Sequence, residues 1–224
     1  MKLGEHAPVL KRTGTVLLVV GLLDIAVMVY CIVQRISYSS SFNIFAAVAG
    51  VFLLRGSLKA ASLVRWFAAF FLSCLVTLPF AWPFIQPIDL TLTEVRLEPL
   101  SAIAVLGLLS FIAALLVWLY RQLGSALVLQ AQAEAGLKVR DMRIPMASGT
   151  GLVLLFAIAL PLLLGGESGT KAKAIAQQQL GAAYRYHVSS LSIAKNAQGT
   201  FISGTVTAWN ETEVRSVPFN WQEP

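Results

Sequence analysis

The sequence predicts an all-α membrane bundle of about five transmembrane helices, residues 1–165, carrying a small C-terminal α+β domain, residues 166–224. Composition points to lipid: of 224 residues, 57% are hydrophobic and 12% charged. A soluble domain carries about 25% charged residues, so this chain has too few to cover a water-facing surface, and its mean hydropathy is +0.73. Apolar runs of membrane-spanning length recur up to Gly165, and after it the pattern changes to one amphipathic stretch followed by strand-like alternation.

The first span, residues 14–34, is interrupted only by Asp24. At 1.5 Å per residue its roughly 20 residues cross a hydrocarbon core of about 30 Å. Lys2, Lys11 and Arg12 precede it like the basic flank of a signal peptide, but no small-residue cleavage site follows, so it reads as an uncleaved anchor. The second, residues 36–58, has a short apolar centre, Phe42 to Leu54, in which Ala46 and Gly50 form a small-xxx-small pair suited to close helix approach. The third, residues 66–85, has Trp66 and Trp82 near its ends as interfacial aromatics. Pro79, Pro83 and Pro87 follow one another at four-residue intervals; each lacks an amide donor, which predicts a kinked or unwound end. The fourth span is 100–120 and the fifth, with Pro161, is 149–165.

Lys and Arg stay in cytoplasmic loops, which orients the bundle. With the N-terminus inside, Lys2, Lys11, Arg12, Arg55, Lys59, Arg65, Arg121, Lys138, Arg140 and Arg143 fall on the cytoplasmic side, and Arg35 and Arg96 in the short outer loops. The C-terminal domain is then extracytoplasmic, as in a bacterial inner-membrane protein with a periplasmic domain. The same rule accounts for the net charge of +6 without nucleic acid as a partner.

Two pieces lie outside the apolar runs. The loop 121–148 opens with good helix formers, predicting that the fourth helix continues to about Gly136. After Gly165, GGESGT reads as a flexible linker. An amphipathic helix follows, with Ala172, Ile175, Ala176, Leu180 and Ala183 on one side, then three strand-like runs that predict an antiparallel meander. In the second run Ile202, Val206 and Ala208 share one face and Phe201, Thr205, Thr207 and Trp209 the other; in the third, Val217, Phe219 and Trp221 align, and Pro218 marks an edge strand.

Chemistry-bearing residues are sparse. Asp24 is the acid well inside a predicted span, and a charge there is costly. It reads as an ion or proton site, as a helix–helix contact, or as packing. His6 and His187 are far apart with no Cys or acid at ligand spacing, so no metal site is expected. Cys31 and Cys74 lie inside apolar runs as small hydrophobes. Asn210-Glu211-Thr212 matches the N-glycosylation triplet but falls in a turn, where a solvated Asn is the simpler reading.

No nucleophile motif, phosphate loop or dinucleotide fingerprint occurs, so neither catalysis, a cofactor nor a small-molecule substrate is expected. The expected role is that of a non-enzymatic membrane accessory protein whose outer domain binds another protein or a second copy through Phe201, Trp209, Phe219 and Trp221. One alternative is a transporter or channel component using Asp24 and the proline-rich third helix. Another is an immunity protein whose outer parts intercept a toxin.

Overall fold

The computed structural model describes residues 6–35, 42–196 and 199–223. In chain order it contains α1 (Ala7–Val33), α2 (Phe42–Leu54), α3 (Leu58–Ile85), α4 (Ile88–Leu97), α5 (Pro99–Leu123), α6 (Ala126–Glu134), α7 (Arg143–Leu164), α8 (Glu167–Leu180), β1 (Arg185–Asn196), β2 (Gly199–Trp209) and β3 (Val214–Glu223). Among the described residues, α1, α3, α5 and α7 are long and apolar enough to cross a membrane. Within their most apolar stretches no more than 17% of residues are buried inside the protein. Large apolar side chains such as Leu100, 81% exposed, and Phe80, 77% exposed, are left uncovered by the protein itself.

The expected second span corresponds to α2, whose 13 residues reach about 20 Å at helical rise, short of a core of about 30 Å. Residues 36–41, where that span was to begin, lie outside the described residues, as do Lys2 and the tip of the KNAQG turn at 197–198.

The chain divides into two compact units, Met1–Ser73 with Ile112–Gly149 and Cys74–Phe111 with Thr150–Pro224. In the first, α1 and α2 pack backbone to backbone. A Cβ on Gly14 would stand 2.8 Å from the Gly50 carbonyl oxygen and from the Leu54 amide; one on Gly50 would stand 2.7 Å from the Leu18 amide. As α1 advances from Gly14 to Leu18, its neighbour on α2 moves back from Leu54 to Gly50, so the helices are antiparallel. Ala46, 3% exposed, continues the same small-residue seam. Gly56, at φ +78°, ends α2: its amide bonds the Leu53 carbonyl at 2.9 Å and the Ser57 amide that of Phe52 at 3.0 Å.

The fourth apolar helix does not run on to Gly136. α5 stops at Leu123, before Gly124, a poor helix former whose position beside Arg65 leaves no room for a side chain: a Cβ there would stand 3.0 Å from Arg65 Nε. Ser125, extended at φ −62° and ψ 149°, restarts the chain as α6. α6 buries Val128 and Gln132, whose side-chain amide reaches the Leu58 carbonyl at 3.5 Å, and Gly136 ends it as expected.

In the second unit, α3 runs unbroken through Pro79 and Pro83 to Ile85. Of the kink or unwinding expected there, unwinding does not occur. The carbonyls of Leu75 and Pro79 receive no helical amide, since their i+4 residues are prolines. Pro87, by contrast, lies outside α3 as the N-cap of α4. The α3–α4 corner is tied by Trp82 Nε1 donating to Thr91 Oγ1 at 3.0 Å and Gln86 Nε2 to Glu94 at 2.8 Å.

The expected flexible linker is also absent: only Gly165 and Gly166 separate α7 from α8. A Cβ on Gly169 would stand 1.8 Å from the Leu164 carbonyl oxygen, so α8 crosses the end of α7 at backbone contact.

The predicted antiparallel meander is present, in the order β1-β2-β3. Val188, Val206 and Val217 align across it, and Ala172 and Ala176 of α8 cover them together with Ile202, Ala208 and Phe219. The register shifts between Val188 and Ser190, so Ser189 is an extra residue. That bulge returns Leu191 and Ile193 to the face of Tyr186 and Val188. Gly204 makes room for it: a Cβ there would stand 2.1 Å from the Ser190 carbonyl oxygen and 2.7 Å from Phe219 Cζ.

Candidate functional site

The four aromatic candidates of the C-terminal domain separate by face. Phe219, 6% exposed, and the half-buried Trp221 lie beneath α8, their rings stacked at 5.2 Å, with Lys171 Nζ 4.9 Å from the Trp221 ring. Trp209, on the opposite face, is 5% exposed. Phe201 alone of the four presents its ring, at 37% exposure. It shares its face with Ser192, Ser203, Thr205 and Thr207, a hydroxyl-rich surface on which Ser189 bonds Thr207.

Phe201 is on the central strand and pairs with Ala194 of β1 on one side and Gln222 of β3 on the other. β1 and β3 are both edges of the sheet. Sequence reasoning pointed to the last strand, yet Pro218 removes a donor from β3, whereas β1 contains no proline in its 12 residues. An added strand would therefore meet a more complete row of backbone groups on β1.

Two polar clusters fix this strand, and neither was visible in the sequence because each joins distant segments. The Tyr184 hydroxyl donates to Glu213, whose other oxygen accepts from Arg215 Nε at 2.8 Å, while the Arg215 guanidinium lies 5.8 Å from the Tyr184 ring. The hydrogen bond to Glu213 pushes the Tyr184 pKa up, and the same bond, with Arg215, holds the Glu213 carboxyl below its ordinary value. Arg185, the first residue of β1, donates to Asp89 of α4. His187 is half-buried; burial first, and then the Lys173 charge, hold its imidazole below the usual range. Asn210 of the triplet closes the β2–β3 turn, its side-chain oxygen accepting the Thr212 and Glu213 amides, both at 2.9 Å.

Asp24 lies on α1, half-buried, three residues past the buried Gly21. Pro79 and Pro83 are in the second unit, whereas Asp24 is in the first. Among the described residues no group of three or more His, Cys, Asp and Glu could hold a metal ion, and Cys31 and Cys74 form no disulfide. Comparison with known protein families, with characterised proteins and with solved structures finds no match for this chain.

Proposed function

We propose that this chain is a non-enzymatic polytopic accessory protein of a bacterial inner membrane. It crosses the bilayer five times with its N-terminus in the cytoplasm, and its C-terminal domain binds another protein of an envelope complex. The observation that carries this reading is the β1 edge, free of proline, with the exposed Phe201 on the neighbouring central strand β2. Such an edge takes an extended segment by strand addition, and an aromatic beside it adds side-chain specificity. Five crossings need α2 to return the chain, and its antiparallel packing on α1 brings Leu54 back beside Gly14. Charge supports the sidedness. Among the described residues, Lys11, Arg12, Arg55, Lys59, Arg65, Arg121, Lys138, Arg140 and Arg143 fall in the segments taken as cytoplasmic, against Arg35 and Arg96 in the outer loops.

Affinity purification in mild detergent tests the binding role. A protein that co-purifies with the intact chain is expected to be lost on deletion of 166–224 and weakened by Phe201→Ala. A monodisperse monomer with nothing bound, with or without the domain, overturns it. A second reading, a transporter component, draws on the carbonyls of Leu75 and Pro79, which lack an i+4 amide within an apolar helix, and on Asp24. It requires Asp24→Asn to change the phenotype of cells that depend on the protein.

A further inference from the structure

We infer that the first unit holds one anionic phospholipid from the leaflet at its basic end, with an acyl chain in a groove between α1, α2, α3 and α5 and the phosphate at Arg65. The inference rests on the membrane residence proposed above. The groove is a cavity of about 420 Å³ lined by apolar side chains, among them Leu17, Ala49, Val64, Phe67, Phe71 and Leu119. Along α3 it extends from Leu63 to Phe71, about 12 Å at helical rise. Half of a hydrocarbon core is about 15 Å, so one leaflet's acyl chain matches it in length.

On three of the four helices a cationic or headgroup-type aromatic residue adjoins the apolar lining. Arg65 follows Val64 on α3, Tyr120 follows Leu119 on α5, and Arg12 precedes Leu17 on α1. The Arg65 guanidinium lies 5.2 Å from the Tyr120 ring and Arg12 lies 5.9 Å from that of Trp118. No carboxylate among the described residues pairs with either guanidinium, and Arg65 Nε is enclosed without a hydrogen-bond partner. Its Nη groups are the part of the fork left to meet an acceptor. A phosphate is the group a guanidinium fork binds best, and tyrosine and tryptophan mark headgroup depth. Apolar lining alone would accept any lipid. The cation at its end selects for charge.

The test is native mass spectrometry of the full-length protein, released from detergent micelles doped with phosphatidylglycerol or with phosphatidylcholine. One phosphatidylglycerol is expected to stay bound about fivefold more than phosphatidylcholine, the preference one surface arginine confers. Arg65→Gln should remove the preference, Arg65→Lys should keep part of it, and Ala49→Phe, which fills the groove, should lose both lipids. Circular dichroism checks that each variant keeps its helices, and the comparison of the two lipids on the unaltered chain needs no variant. Equal retention of the two lipids overturns the inference. So does selectivity indifferent to both Arg65→Gln and Ala49→Phe, or a dimer without lipid that Ala49→Phe dissociates, since a second copy would then fill the groove. Carbonate extraction separates the two failures: a chain washed off the membrane removes the membrane reading, and one that stays without selectivity removes only the lipid site.

Discussion

The Arg185 guanidinium at the head of β1 is bonded to the Asp89 carboxylate of α4, joining the α3–α5 connection to the sheet within one compact unit. Both side chains are largely exposed, at 68% and 62%, so water screens the pair. A double-mutant cycle with Asp89→Ala and Arg185→Ala should give a coupling below about 1 kcal/mol. A larger value would mean that the pair is sequestered from water.

Because Asp89 of α4 bonds Arg185 of the sheet, the two should share one side of the membrane in the proposed arrangement. In a chain with Cys31 and Cys74 replaced by alanine, Glu98→Cys and Lys195→Cys should both react with an impermeant maleimide from outside. Labelling of one without the other breaks the proposed sidedness.

Gly204 has no room for a side chain. Gly204→Ala should destabilise the sheet by about 1–3 kcal/mol, the usual cost of overpacking, since its Cβ would fall 2.1 Å from the Ser190 carbonyl oxygen. Gly107→Ala on α5, where nothing lies within 4 Å, is the control and should be neutral or mildly stabilising. Unfolding followed by tryptophan fluorescence distinguishes them.

The α1–α2 seam makes a parallel prediction in the first unit. Gly50→Val should push the helices apart, lowering the melting temperature in detergent, because even a Cβ would stand 2.7 Å from the Leu18 amide. Gly151→Ala, in open space, should leave it unchanged.

His187 predicts a pH dependence. Its folded-state pKa lies below the ordinary 6.5, so the unfolded chain takes up a proton that the fold disfavours. Stability is full above that ordinary value, falls as the pH drops through it, and levels off below the folded-state value. Melting curves from about pH 7.5 down to about pH 5.5, across the imidazole range, should show this loss, and His187→Gln should flatten it.

Hydropathy located the apolar centres of α3 and α5 but not their ends. α3 begins at Leu58 rather than Trp66, because a helix continues past the core while Lys59 at its first turn carries its charge on a long stem. Alternation paired Phe219 and Trp221 with Val217 but could not say which face turns inward; the small residues of α8 decide that. The phase break in β1 was written in the spacing of Tyr186 and Val188 from Leu191 and Ile193, where three residues replace two, yet its cause is the bulge at Ser189. The Tyr184–Glu213–Arg215 cluster left no trace, since nothing local links the start of β1 to the turn before β3.

The contact between Gly169 and the Leu164 carbonyl makes the passage from α7 into α8 an elbow rather than a tether. An elbow transmits torque. Any tilt of α7 would carry α8 and the sheet packed beneath Ala172 and Ala176 with it, so the heading of the sheet follows that of the helix.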